Sequence, residues 1–399
     1  MESLKSDFNK YIAQASVFEA FQLEVARAEG IYVYDKFDKD YIDLMSGISV
    51  SNLGHRHPEV VKAVKEQIDK YMHVMVYGEF IESPQIKLAK RLAELLPPQL
   101  CMTYFVNSGS EAIEGAMKLA RKFTKRSEII AFKDAYHGST MGALALLSNE
   151  DFKQDFRPLM PDVKLLDFNE ISQLSAITER TACVITEVIQ AGRGIVVAET
   201  EFLKALRKRC DETGTLLIYD EIQTCYGRTG KLFAFEHYQV VPDILCIAKS
   251  MGGEMPLGAF ISSAKIMDCL NGSHPLYGHA TTFGGHPVSC AASLATLNVI
   301  VNENLLANVE SKAQQIRTLL KDHPAIKEIR GKGLFMSVEL NNPEKIEEIV
   351  AQSMANGLIT FWFLFNHNSL SVIPPINITS EEISVAMQRF SSALNSGLL

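Results

Sequence analysis

The chain has 399 residues, 47% of them hydrophobic, and a formal net charge of −8. That is enough for a large core, and a pI near 5.8 with no basic stripe argues against a nucleic-acid partner. No stretch is apolar enough to span a bilayer and residues 1–7 hold no signal core, so no membrane contact and a cytoplasmic location are expected.

In chain order, segments 31–35 and 41–44 flank a turn-like 36–40 stretch and predict a small hairpin. Gly54-His55-Arg56-His57-Pro58 superficially resembles a metal site. With no H-E-x-x-H and no cysteine–histidine pairing beside it, no metal is expected. Asn107-Ser108-Gly109-Ser110-Glu111 opens a predicted helix, with Ile113, Ala116, Met117 and Ala120 on one face. Backbone N–H groups, hydroxyls and the dipole at such a start suit an anion, although an ordinary N-cap has the same composition. A strand over 129–132 leads into Tyr136-His137-Gly138. The tyrosine suits stacking on a planar ligand, whereas His137 reads equally as a structural histidine. A strand over 184–186, a helix near 201–213 and a strand over 216–219 alternate as βαβ units do. This predicts an α/β fold with a mostly parallel sheet covered by helices. The second of those strands ends in Asp220-Glu221-Ile222-Gln223, and a later one, 244–248, runs into Lys249-Ser250-Met251-Gly252-Gly253. Thr281-Thr282-Phe283-Gly284-Gly285 is a second hydroxyl-and-glycine turn able to touch phosphate, 289–301 is helical, and 332–340 belongs to an α+β region. The expected organisation is a large domain at 47–290 and a small one built from 1–46 and 291–399.

Open parallel sheets bind ligands at the carboxyl ends of their strands, where Asp220 and Lys249 both fall. An amine and an acid there suit a cofactor that needs a covalent lysine and a partner for its ring nitrogen, which is pyridoxal 5′-phosphate (PLP). Lys249 would hold the cofactor and later move a proton, Asp220 would keep the ring nitrogen protonated, and Gln223 is close enough to reach the ring oxygen. Taken alone, Lys249 reads rather as a solvated lysine at a strand exit and Asp220 as a turn-making acid. No G-x-G-x-x-G follows a strand, so a nicotinamide cofactor is excluded. The seven cysteines are scattered without a C-x-x-C pair and read as reduced thiols.

Taken together, these segments resemble the class III aminotransferases, a subgroup of the fold-type I PLP enzymes. The matching segments are G-H-R-H-P at 54–58, N-S-G-S-E-A at 107–112, Tyr136-His137-Gly138, Asp220-Glu221-Ile222-Gln223 with Gly227-Arg228-Thr229-Gly230, Ala248-Lys249 with Gly252-Gly253, and Thr282-Phe283-Gly284-Gly285. The resemblance implies an amino donor, an oxo-acid acceptor and a homodimer with shared active sites. It implies Lys249 as the Schiff-base lysine, Asp220 at the ring nitrogen, Gln223 at the ring oxygen and Tyr136, beside His137, on the ring. Ser108, Gly109 and Ser110 would bind phosphate, Thr282 the phosphate of the neighbouring subunit's cofactor, and Glu187 matches the glutamate of the family's E-P-x-Q segment. The departures concern the substrate. Ser139 and Ser371 stand where many members have carboxylate-binding arginines, and Gly192 stands where a switch glutamate is usual. Arg193, one residue on, is a candidate replacement charge, with Thr281 a further substrate contact; alternatively the donor lacks an α-carboxylate. Cys225 and Glu254 replace usual glycines without an evident role. An aminomutase or amino-acid epimerase would share every cofactor residue, and dependence on an added oxo-acid separates the two. A non-catalytic assembly protein is a third reading, disfavoured by the intact lysine, aspartate and glutamine.

Overall fold

The computed structural model describes residues 4–14, 22–270 and 278–398; the first three residues of the expected leaderless start lie outside them. The centre is a seven-stranded sheet in the order Met102–Val106, Gly258–Ser262, Ile244–Ile247, Leu216–Asp220, Thr181–Glu187, Glu128–Phe132, Val163–Leu166. Its pairs are parallel except around Gly258–Ser262, which runs antiparallel to both neighbours. Strand Thr181–Glu187 and the strands on either side of it are buried at every residue. That explains why they read as unbroken apolar runs rather than as alternation.

Helix Gly109–Thr124 lies on this sheet with Ile113, Ala116, Met117 and Ala120 buried. Ser108 caps it, its hydroxyl accepting from the Glu111 N–H at 3.2 Å. The helix comes so close to the strand below that a Cβ on Gly115 would stand 2.3 Å from the Phe260 ring. The cap turn therefore has a fixed height above the strand ends.

The hairpin is present as Tyr32–Asp35 paired antiparallel with Asp40–Asp43. Its sheet is completed by Val25–Glu29 and, from the far end of the chain, by Leu358–Ile359 running parallel to Asp40–Asp43. Ile326–Lys332, Phe335–Leu340, Asn366–Val372 and Trp362–Phe363 form another sheet. The helical pattern over 289–301 becomes helix Pro287–Asn302, buried over most of its surface. Among the described residues, no single helix is long and apolar enough to cross a membrane.

Candidate active site

Asp220 is the last residue of its strand, in register with Glu187 on one side and Cys246 on the other. Lys249 lies two residues beyond strand Ile244–Ile247 and opens the short 3-10 turn Lys249–Gly252. Its φ is +52°, in the left-handed region where a lysine is strained, as functional residues often are. Adjacent parallel strands thus deliver the acid and the amine to the same sheet edge. There they meet the N-terminus of helix Gly109–Thr124 around a cavity of about 430 Å³.

Burial governs the chemistry of these groups. It pulls the Lys249 ammonium down to about 8, against the upward pull of Asp220 and Glu187. It pushes the Glu187 carboxyl up to about 7, with His137 opposing and Asp220 adding to the rise. His137 Nδ1 lies 2.7 Å from Asp220 Oδ2, with both side chains buried. Burial alone would lower the pKa of His137; the Asp220 carboxylate outweighs it and raises the value. Asp220 Oδ1 accepts from the Ile222 N–H at 3.0 Å. The aspartate is thus held from both sides, its charge facing the cavity. His137 is at once the structural histidine and a positioning partner of the proposed ring-nitrogen acid.

At the helix end, Ser110 Oγ accepts from the Ser139 N–H at 3.3 Å, and the Tyr136 hydroxyl lies 2.8 Å from Ser139 Oγ. Gly138, at φ +130°, is obligatory here, since a Cβ would fall 2.0 Å from Ser110 Oγ. A Cβ on Gly109 would press on Ile222 at 2.8 Å, which brings the phosphate-type turn against the strand end carrying Asp220.

Ser108, Gly109, Ser110, Tyr136, His137, Glu187, Asp220, Gln223 and Lys249 all line this one cavity. The residues present fit PLP. Among them are a lysine whose amine is readily neutral, a fixed carboxylate, an aromatic ring and a helix start for an anion. Among the described residues, the buried His137 Nε2 has no partner of its own.

The expected substrate residues are not gathered there. Arg193 lies outside the cavity lining, its Nε 3.6 Å from Asp134 in a half-exposed ion pair. Ser371 is buried in strand Asn366–Val372, its hydroxyl accepting from the Phe361 N–H at 3.4 Å. Ser139 follows the lining residue Gly138 but is not itself in the lining, and it is committed to Tyr136 and Ser110. Thr281 Oγ1 accepts from Asn107 Nδ2 at 2.7 Å, and Thr282 Oγ1 lies 3.4 Å from the Tyr77 hydroxyl, both outside the lining. At Gly192, where the switch glutamate is missing, the space beside the backbone is taken by Phe365, since a Cβ there would stand 2.9 Å from its ring. Phe365 also donates its N–H to the Gly192 carbonyl at 2.8 Å and packs edge-on to Phe152.

Other wall residues gave no sequence signal beyond their departure from pattern. Val50, Glu254 and Met255 line the cavity. Cys225 packs its sulfur 3.6 Å from the Ala248 carbonyl and from Ser250 Oγ, supporting the lysine turn. Glu221, the second acid of the D-E pair, serves structure instead, accepting the N–H groups of Ala234 and Phe235 at 2.6 Å each. His55 of the histidine-rich turn lies between Asp43 and Glu254.

The family model for class-III aminotransferases matches residues 13–394. The acetylornithine aminotransferase of Methanopyrus kandleri is 37% identical over 383 residues, covering 95% of this chain and 96% of that one. An ornithine aminotransferase from Toxoplasma gondii is similar in structure, with a TM-score of 0.91 at 29% identity over 98% of this chain and 94% of that one. A thermostable (S)-enantioselective omega-transaminase from Thermomicrobium roseum gives 0.90 at 28% identity over 99% and 98%.

Proposed function

The chain belongs to the class-III aminotransferases, and from that premise we propose which residues carry the reaction and what kind of donor they accept. It is a PLP-dependent enzyme that moves an amino group from a donor to an oxo-acid. The bound cofactor supplies a carbonyl carbon for the amine and a conjugated ring that accepts electrons from the substrate C–H bond. Lys249 would hold the cofactor through Nζ, and its free amine would take the proton from one substrate carbon and return it to another. Its lowered pKa keeps a useful fraction of the amine neutral near pH 8. Asp220, steadied by His137 and the Ile222 N–H, holds a proton on the ring nitrogen. Ser108, Gly109 and Ser110 would hold the phosphate, and Tyr136 and Gln223, in the same lining, would contact the ring.

The reacting amine sits on a terminal carbon, and the donor's far end is not gripped by an arginine. The observation that carries this is the lining contributed by the described residues of one chain, among which no arginine occurs. Ser139, Ser371 and Arg193 are each committed elsewhere, and Phe365 fills the Gly192 notch. An N-acetylated diamino acid, a 4-aminobutyrate-type ω-amino acid and a simple amine all fit this description. The test is a donor screen with pyruvate and 2-oxoglutarate as acceptors, in which N-acetylornithine, ornithine, 4-aminobutyrate and 2-phenylethylamine are set against alanine. Terminal amines should turn over faster than alanine; the reverse order would reject this donor class. Turnover without added oxo-acid would point to an aminomutase or epimerase instead.

We further read the enzyme as a homodimer with shared sites. Thr282 lies outside its own cavity, beside the exposed Phe283, and Phe80 and Ile81 expose apolar surface of the kind an interface covers. Residues 47–290 are read as the large domain, and 1–46 with 291–399 as the small one. The seven free cysteines accord with a reducing cytoplasm.

A further inference from the structure

We propose that Glu254 is a positioning residue: through His55 it fastens the left-handed loop 46–56 to the turn that follows Lys249, and so fixes the wall of the cofactor cavity at Val50. The loop needs such a fastening. Ser46, Gly47, Ile48 and Ser49 are consecutive left-handed residues, with φ of +48°, +58°, +64° and +61°, and Arg56 adds another at +55°. Only glycine takes this conformation freely. Ile48 is β-branched and 54% exposed, so its own packing does not hold it there. Outside contacts must: Ser46 Oγ donates to the Ile373 carbonyl at 2.6 Å and Asn52 Nδ2 to the Tyr226 carbonyl at 2.8 Å, and His55 ties the two ends of the loop together.

At the near end, Asp43 accepts from the N–H groups of Met45 and Ser46 at 2.8 and 2.9 Å and of Gly47 at 3.3 Å. At the far end, Glu254 accepts from Ser51 Oγ at 2.9 Å and from the Arg56 N–H at 2.8 Å. His55 joins the ends, with Nε2 3.1 Å from Asp43 and Nδ1 3.1 Å from Glu254. Val50 lies between the two anchor points and lines the cavity with Glu254 itself. Glu254 is also left-handed, at φ +69°. A glycine would be unstrained at this position; a glutamate is retained there and makes three polar contacts with the loop.

Both ring nitrogens of His55 donate only when the ring is protonated. Burial disfavours that form, but the two carboxylates outweigh it and raise the imidazolium to about 9. The charged groups facing the ring are Asp43 from strand Asp40–Asp43 and Glu254 from the lysine turn. Behind Asp43 lies the buried Arg228, which also binds Asn52 of the loop. The clamp is therefore closed at neutral pH and opens as pH passes about 9.

The test uses full-length enzyme stripped of PLP and titrated with PLP, beside amide hydrogen exchange on the same protein. Glu254→Gly keeps the fold, because glycine accepts the backbone angle. It should speed exchange at 45–52 and weaken PLP binding, each by about tenfold, a size set by losing a charged contact that closes a loop. The wild type should lose PLP affinity above about pH 9, a step absent in Glu254→Gly; groups common to both proteins, Lys249 included, cancel in the comparison. Glu254→Gln keeps an acceptor for Arg56 but lowers the His55 pKa, so its step should move to lower pH. Unchanged exchange and affinity in Glu254→Gly, or a step at the same pH in Glu254→Gln, would overturn the proposal. No readout uses an amino donor, so the donor class and the clamp fail separately.

Discussion

At the scale of single residues, burial does most of the chemical preparation. Lys249 loses solvation before it meets any partner, and that loss outweighs the attraction of Asp220 and Glu187. Its pKa in the cofactor-free enzyme is depressed to about 8, so the neutral, nucleophilic amine gains population as pH rises through that value. Stopped-flow absorbance should show PLP capture accelerating with pH and levelling above about 8. Covalent fixing by borohydride should map to Lys249 and vanish in Lys249→Ala; fixation on another lysine would reassign the site. His137→Ala should strand the buried Asp220 carboxylate, lowering stability by about 3–5 kcal/mol, as breaking one side of a buried ion pair does, and depressing turnover with it. Denaturant titration and steady-state rates check both parts. Lys249 and Asp220 were legible because an ionisable residue closing an apolar run stands out in one dimension. The fate of Arg193 was not, since its place beside Gly192 says nothing about its side chain turning to Asp134. Phe365 blocking Gly192 is a contact between segments far apart in the chain.

At the scale of elements, the phosphate end of the site is only as precise as the seat of helix Gly109–Thr124. Its buried face followed directly from the i, i+3, i+4, i+7 spacing. Its depth did not, because that is set by Gly115 meeting Phe260 across the helix–sheet interface. Gly115→Val should force the helix off the sheet, costing about 1–3 kcal/mol through overpacking and weakening PLP binding as Ser108 and Ser110 shift. Melting temperature and PLP titration should fall together; a stability loss with full affinity would show that the turn is held by other contacts. The direction of strand Gly258–Ser262 was likewise illegible. A strand covered on both faces is apolar whichever way it runs, so its reversal within the parallel sheet leaves no trace in composition.

At the scale of the whole molecule, the proposed sharing of sites predicts complementation. Lys249→Ala chains mixed with chains carrying a disabling Thr282 substitution should regain part of the wild-type rate, because one site in each hybrid is intact. Sites complete within single chains would give no recovery. The pairing of the N-terminal hairpin with Leu358–Ile359 has a consequence in time. The same two regions are also joined where Lys39 donates to the Ala355 carbonyl, 316 positions along the chain. At roughly 5–20 residues per second of synthesis, the hairpin waits on the order of 15–60 s for the strand that closes its sheet. Asp43, at the hairpin's last position, waits with it for its sheet partner Ile359, while the residues that line the cofactor cavity, Val50 to Leu257, are already made.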